Sequence, residues 1–296
     1  MTMEKNPKSE ANRITKILRM TGFDQFPVNV RDVALEFSKN VCPEAPISAI
    51  KQVSIPSFEG MLARSPKGDK WMIGINEDLA SSGRINFTIA HEFGHYILHR
   101  DLQQNFECAP KDMHTWDALG KKNETEADVF ASYLLMPADD FRNQVSGHEF
   151  SIELMRHCAD RYDVSLTAAA LKWREIAPGR VVVVAAKDGF LDWSSSNDRA
   201  FRSGAYLATS KEPVEVPAAS VLTRAVRSAQ GEKARIDAQT WFPREPDGLE
   251  ITEHAFVVEG DGYNYTLGIL TLPARDRQAD EEEDALTPLT GTPDFR

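Results

Sequence analysis

Hydrophobic and polar positions follow two periods along the chain, and the helical period predicts most of its first half. Apolar residues recur with a spacing of about 3.6 in four stretches, residues 10–18, 28–39, 84–99 and 124–135. Asn29 is placed to cap the second helix, and Pro137 ends the fourth because proline disfavours helical geometry in the residue before it. Residues 151–176 predict two further helices joined near Asp163, with Ser165 as the cap of the second.

Short apolar or alternating stretches on either side of turn signals predict strands in three other places. Residues 58–76 form one hairpin pattern, with a turn signal at residues 66–69. Residues 180–193 read as strand, Lys-Asp-Gly turn and strand, and residues 255–272 repeat that pattern. Residues 101–122 have no clear period, so we expect a surface connection there.

These elements predict an α+β protein built from several segments. Residues 1–150 are expected to form a first domain with a small sheet, and residues 151–178 a helical segment similar to a helix-turn-helix. The composition changes near Pro178, so residues 179–276 are predicted to form a smaller, strand-rich α/β domain. Residues 277–296 are acidic and rich in turn formers, which is typical of a disordered tail.

Composition narrows the class of protein. The chain has 296 residues, of which 42% are hydrophobic and 27% charged, values ordinary for a globular protein. A net charge of −11 argues against general affinity for nucleic acid or anionic membranes. The polar N-terminus lacks the apolar core of a signal peptide, and no apolar run reaches the roughly 20 residues of a membrane span. With three widely spaced cysteines, these features predict a cytoplasmic protein without membrane association.

The stretch FTIAHEFGHYILHR, residues 87–100, carries the candidate chemistry. Residues four apart on a helix share a face, so His91 and His95 can direct both imidazoles at one point, as two zinc ligands require. Glu92 is rotated by about 100° from His91 and would lie beside the metal. From there its carboxylate can act as general base toward a water molecule that the zinc activates. The competing interpretation is an amphipathic core helix whose histidines only make hydrogen bonds.

A catalytic zinc normally has three protein ligands, and the segment KKNETEADVFASYLLMP offers the third. Glu124 and Asp128 are again four apart. We expect Glu124 to bind the metal and Asp128 to accept a hydrogen bond from the outer ring nitrogen of His91 or His95. Glu126 is expected to point elsewhere, because its spacing from Asn123 matches a capping box.

Other side chains compete for the same role. His99 extends the histidine series by one more turn, and we expect it at the polar edge of the site or hydrogen-bonded to a ligand. Asp112, His114 and Asp117 lie in the irregular connection, where a flexible segment holds a ligand less precisely. The histidine that metzincins place six residues after the HExxH motif is absent, since this position is Asp101, so the pattern favours a glutamate ligand.

The two motifs FTIAHEFGHYILHR and ETEADVFASYLLMP together resemble the ImmA/IrrE family of metallopeptidases, and the resemblance covers roughly residues 29–173. It implies a zincin-like, gluzincin-type fold for residues 1–150 and a zinc-dependent endopeptidase activity. His91, His95 and Glu124 would be the metal ligands and Glu92 the catalytic base. Histidine and carboxylate ligands also admit manganese. Members of the family cleave helix-turn-helix repressors or act in stress and mobile-element control, so a repressor is the expected protein substrate.

Two alternatives remain open from the sequence. The first is a regulatory interaction protein that binds a repressor or DNA and keeps the metal site as structure. An intact Glu92 argues against this, because a structural zinc site has no use for a base. The second is DNA binding through residues 151–178, which is weakly supported because the basic residues between Ser151 and Arg180 are nearly balanced by acidic ones.

Overall fold

The protein, seen in a computed structural model, has the α+β fold that the sequence predicts. The structure describes residues 5–22, 25–55, 58–102, 105–108, 118–225, 231–259 and 264–274. Two compact units divide the chain, Met1–Trp173 and Arg174–Arg296. The first unit includes the predicted helical pair as far as Trp173, and the division falls a few residues before Pro178. The predicted tail, residues 277–296, lies outside the described residues.

Within the described residues, helices and strands are distributed unevenly between the units. The α-helices are α1 (Pro7–Met20), α2 (Val30–Val41), α3 (Ser82–His99), α4 (Ala118–Leu135), α5 (Ala138–Val145), α6 (Ile152–Tyr162), α7 (Leu166–Ile176) and α8 (Asp198–Arg202). The strands are β1 (Ile47–Val53), β2 (Gly60–Arg64), β3 (Trp71–Asn76), β4 (Asn105–Cys108), β5 (Arg180–Lys187), β6 (Phe190–Ser196), β7 (Glu232–Asp237), β8 (Glu250–Glu259) and β9 (Asn264–Leu272).

The sheet of the first unit has the strand order β1-β3-β2-β4. β2 and β3 form the predicted antiparallel hairpin, with Gly68 in the left-handed region that its turn requires. β1 runs parallel to β3, and β4 runs antiparallel to β2. The prediction of an irregular connection over residues 101–122 is therefore wrong at β4, a strand that exists because β2 supplies its backbone partner.

Caps and turns place the helices of the first unit largely where the sequence predicts them. The Asn29 side chain accepts from the backbone N–H of Asp32 at the start of α2, which confirms its capping role. Leu135 is the last residue of α4, just before the Met-Pro pair, as predicted. α4 begins at Ala118, however, so Asn123 lies inside the helix and the predicted capping box is wrong.

The helical pair α6 and α7 joins through a left-handed residue, Asp163, with φ of 49°. Its carboxylate accepts from Ser82 Oγ at 2.7 Å and from Asn86 Nδ2 at 2.9 Å. The Ser165 hydroxyl accepts from the N–H of Ala168 and caps α7, as predicted. These contacts attach the turn of the helical pair to the first turns of α3.

The core of the first unit lies between its sheet and the helices α1 to α4. One fully buried residue from each of five elements represents it: Ile14, Ala34, Ile73, Phe93 and Phe130. The rings of Phe93 and Phe130 meet edge to face at 5.6 Å, joining α3 to α4. The helix that carries the HExxH motif is thus embedded in the core, which fixes its side chains in place.

The second unit is built on a five-stranded antiparallel sheet of order β6-β5-β9-β8-β7. The predicted hairpin over residues 180–193 is confirmed as β5 and β6, and residues 255–272 contain β9 and most of β8. Val182, Val184 and Leu270 pack on one side of the sheet against Leu222 and Trp241. Among the helices that the structure describes, none combines the length and apolar character needed to cross a membrane.

Candidate metal centre

The candidate centre lies where α3 crosses α4. Gly94 lets the two helices approach, because a Cβ there would lie 3.1 Å from Phe130 Cδ1 and 3.3 Å from Ala127 Cα. His91 and His95, one turn apart on α3, are 7% and 0% exposed. The close crossing brings their imidazoles against the carboxylate of Glu124 on α4.

Three side chains converge on one point. His91 Nε2 lies 3.2 Å from Glu124 Oε2, and His95 Nε2 lies 3.1 Å from Glu124 Oε1. The two Nε2 atoms are 3.1 Å apart. Within the described part of the chain, these three residues form the group of histidine and acidic side chains with metal-binding spacing. The structure thus brings together the three side chains that the sequence predicts to be metal ligands.

The donor set fits a zinc ion in both chemistry and size. Two imidazole nitrogens and one carboxylate are the ligands of a common class of catalytic zinc sites. Bonds of about 2.0–2.1 Å in tetrahedral geometry separate neighbouring ligand atoms by about 3.3 Å. The two Nε2 atoms have about this spacing, at 3.1 Å, and each faces one oxygen of the Glu124 carboxylate at 3.1 to 3.2 Å, so an ion can be held between the three side chains.

Asp128 lies behind His91, in the position predicted for it. His91 Nδ1 is 3.0 Å from Asp128 Oδ1. A carboxylate only accepts hydrogen bonds when it is ionised, so Nδ1 carries the hydrogen and donates it. With Nδ1 used in this way, Nε2 is the nitrogen of His91 that faces the shared point with His95 and Glu124.

A second row of polar contacts, formed by Glu126, His99 and His95, lies behind His95. It gives His99 one of its two expected positions, in hydrogen-bond contact with a predicted ligand, whereas the contact to Glu126 was not predicted. His95 Nδ1 is 3.0 Å from His99 Nδ1, and His99 Nε2 is 3.0 Å from Glu126 Oε2. The expectation that Glu126 points elsewhere is therefore wrong. The signal in the sequence was the third histidine of the series, four residues after His95, which continues the same helix face.

Burial and hydrogen bonds shift the pKa values of His91 and Glu124 in opposite directions, whereas burial prevails at His95. Burial disfavours a charged His91, but hydrogen bonds to Asp128 and Glu124 outweigh it and raise its pKa to about 10. Burial lowers the pKa of His95 to about 4. Burial also opposes the charged form of Glu124, but hydrogen bonds from both histidines prevail and lower its pKa to about 2. The metal-free cluster therefore holds a proton on His91, and a cation competes with that proton.

Glu92, the predicted base, is fully buried next to His91. The backbone of β2 runs against its side chain: a Cβ at Gly60 would lie 2.7 Å from Glu92 Oε1 and 2.5 Å from Thr88 Cγ2. Only glycine fits this approach without displacing one of the two side chains. β2 thus restricts where the Glu92 carboxylate can lie.

Two tyrosines, one on α3 and one on α4, have partners other than the cluster, and three rival residues fall outside the described part of the chain. The Tyr96 hydroxyl donates to the Ala45 carbonyl at 2.9 Å inside the core, so Tyr96 is tied away from the cluster. The ring of Tyr133 carries the Lys172 ammonium 3.3 Å above its centroid. Asp112, His114 and Asp117 lie outside the described residues.

The basic side chains of the helical segment are largely engaged within the protein. Arg161 pairs with Asp140 at 2.8 Å, and Lys172 is buried over Tyr133. Arg180, at the start of β5, is 3% exposed and ion-paired. Groups committed in this way do not present positive charge to a phosphate backbone. The segment therefore adds no support to the prediction of DNA binding.

The domain that carries the candidate metal centre matches a family of known proteins. Residues 52–174 match a peptidase family described as the IrrE N-terminal-like domain, and this domain contains the HExxH helix and α4. The first unit is accordingly a metallopeptidase-type domain. The match over these residues confirms the resemblance to the ImmA/IrrE family that is seen in the sequence.

Individual relatives cover different parts of the chain. The metallopeptidase ImmA of Bacillus subtilis (strain 168) is 36% identical over 77 residues, which are 26% of this chain and 41% of that protein. The match thus spans less than half of the relative's own length. A solved structure of a Mycobacterium tuberculosis transcriptional regulator resembles the chain with a TM-score of 0.58 and 13% identity. It covers 96% of this chain and 81% of that one, and at this identity the likeness concerns the fold alone.

Proposed function

We propose that the chain is a zinc-dependent endopeptidase of the gluzincin type that cleaves a transcriptional repressor or another regulatory protein. The observation that carries this proposal is the convergence of His91, His95 and Glu124 within 4.8 Å, beside the buried Glu92. The family match supports a protein as the substrate. A role in stress or mobile-element control follows from the resemblance and belongs to the same proposal.

The residues of the candidate centre have separate roles in peptide hydrolysis. His91, His95 and Glu124 would hold the ion, and Asp128 orients the ring of His91. A zinc ion bound there supplies a Lewis acid that polarises the peptide carbonyl and acidifies water. Glu92 takes the proton from the attacking water and delivers it to the nitrogen of the departing amine. The burial of Glu92 keeps bulk water from competing for that proton.

The metal content of the purified protein tests the site. We expect about one zinc per chain in protein prepared without added metal. Glu124→Ala removes one of three ligands and should weaken zinc binding by more than about 100-fold, beyond the usual cost of an outer contact. Zinc content and affinity are measured by mass spectrometry and by competition with a chelator.

Thr125→Ala is the matched control, because Thr125 lies next in α4 and its hydroxyl only bonds the exposed Lys121 carbonyl. This variant should bind zinc like the parent. Zinc retained in full by Glu124→Ala, or a parent that takes up no zinc even after dialysis against it, would contradict the proposal.

Gly60→Ala should slow cleavage while zinc stays bound. The new Cβ competes with the Glu92 carboxylate for space and displaces it, and displacement of a catalytic group by about 1 Å costs about 100-fold in rate. The measurement is kcat for one peptide, with zinc content determined on the same sample. Gly74→Ala is the control, because its Cβ would instead lie 2.8 Å from Met61 Cγ and from Val53 Cγ2. Equal rates for the two variants would argue against a role for Gly60.

A further inference from the structure

The histidine helix carries three buried histidines in register, and the third has no role in the function proposed above. His91, His95 and His99 are four residues apart on α3 and are 7%, 0% and 2% exposed. A buried imidazole is costly unless its two nitrogens are hydrogen-bonded. His99 meets this requirement with His95 on one side and Glu126 on the other, at 3.0 Å each.

The donor and acceptor in each hydrogen bond of the series Glu126–His99–His95 follow from the chemistry of the three side chains. The Glu126 carboxylate accepts, so His99 Nε2 carries the hydrogen. A neutral imidazole then has a bare Nδ1, and burial favours the neutral ring. His99 Nδ1 therefore accepts from His95 Nδ1, which must carry a hydrogen. His95 Nε2 is then bare and can bind an ion shared with Glu124 and His91. Without the ion, Glu124 and His99 compete for the one hydrogen of a neutral His95.

We propose that Glu126 and His99 form a relay that sets the tautomer of His95 and so presents its Nε2 lone pair to the metal ion. This inference rests on the proposed zinc site. If the hydrogen bond between His95 and His99 ran in the opposite direction, a neutral His95 would carry its hydrogen on Nε2, where it would block coordination of the metal ion. His99 and Glu126 are thus positioning residues, since neither supplies an atom to the predicted ligand set.

The two histidines predicted to bind the metal are then oriented by different contacts. His91 is oriented by direct contact with Asp128, a residue of α4 at the same side as Glu124. His95 is fully buried, and the carboxylate that serves it is one imidazole further away. Two residues along a helix amount to a rotation of about 200°, so Glu124 and Glu126 leave α4 on opposite sides of Ala127. Gly94 of α3 lies over Ala127, so Glu124 contacts the histidines of α3 from one side of the crossing and Glu126 contacts them from the other.

Two nearly isosteric variants separate the relay from simple packing. Asn at position 99 places Oδ1 where His99 has Nδ1, so His99→Asn keeps an acceptor for His95. His99→Leu has a similar shape and no acceptor. We expect zinc affinity to fall by about 10–100-fold in His99→Leu and to stay within about threefold of the parent in His99→Asn. Affinity is measured by competition with a chelator, on samples whose fold is checked by circular dichroism.

The parent protein provides a second readout that does not depend on any variant. Nitrogen-15 spectra of histidine-labelled, zinc-loaded protein identify which ring nitrogens carry hydrogen. We expect hydrogen on Nδ1 of His95 and on Nε2 of His99. Hydrogen on Nδ1 of His99 would overturn the relay even if every variant failed to fold.

The remaining outcomes are distinguishable. Parent-like affinity in His99→Leu would overturn the relay and leave the zinc site standing. An equal loss in His99→Asn and His99→Leu would also overturn it, because packing of the ring would then be the cause. A parent that binds no zinc would overturn the zinc site and the relay together.

Discussion

Replacement of Glu92 by glutamine is expected to leave zinc bound and to abolish peptide cleavage. Glutamine has nearly the same shape as glutamate, so the buried space beside β2 stays filled. The amide cannot take a proton from water, and loss of a general base costs about 10²- to 10⁴-fold in rate. Since Glu92 is not among the three converging donors, zinc affinity should be that of the parent.

Cleavage is measured by mass spectrometry on a library of peptides drawn from a bacterial proteome, with the zinc content of each sample determined in parallel. Glu36→Gln is the matched control, because it removes the same charge at an exposed position of α2 whose partner is Lys39. This variant should cleave like the parent. Cleavage retained by Glu92→Gln would show that another group moves the proton.

A third outcome of this experiment separates the two classes of function. If the parent binds zinc and cleaves no peptide, and no natural partner is cut, the zinc site serves structure or recognition. The chain would then be a regulatory protein that binds its partner without cutting it. The domain match to a peptidase family is compatible with either outcome, so cleavage itself decides between them.

Local pattern was sufficient to predict the part of the site that one helix determines. The spacing of His91 and His95 depends only on helix geometry, and α3 places both imidazoles as that geometry requires. Glu124 and Asp128 were found for the same reason, since a second helix repeats the spacing. The hairpin of β2 and β3 was predictable because alternation and a turn signal are both local.

What the sequence did not reveal depends on contacts between distant segments. β4 is only four residues long and exists through its pairing with β2, far away along the chain. The first turns of α4 contain Gly120 and two lysines and have no apolar period, so their helical state was not visible. Glu126 was excluded by an argument about one helix taken alone. Glu126 contacts His99 because of the way α3 crosses α4, and a local sequence pattern does not predict that crossing.

The second unit offers the other large expected effect, the loss of a buried ion pair. Arg180 donates to both carboxylate oxygens of Glu245, at 2.5 and 3.1 Å, and the side chains are 4% and 2% exposed. Arg180 also donates to the Pro273 carbonyl and to the Ser203 hydroxyl. The guanidinium thus joins the start of β5 to the end of β9, and Glu245 supplies the opposite charge.

Glu245→Gln should therefore destabilise the second unit by about 3–5 kcal/mol, because a buried guanidinium is left without its counter-charge. Amide hydrogen exchange in β5 and β9 of the full chain measures this, and it should accelerate by about 10²- to 10⁴-fold. The exposed Glu212→Gln is the control for loss of one charge and should leave exchange unchanged. The double variant Arg180→Met with Glu245→Leu should recover much of the protection, since paired apolar replacements avoid the unpaired charge. Parent-like exchange in Glu245→Gln would mean that Pro273, Ser203 and solvent suffice to hold the guanidinium, and that the carboxylate contributes little to the fold.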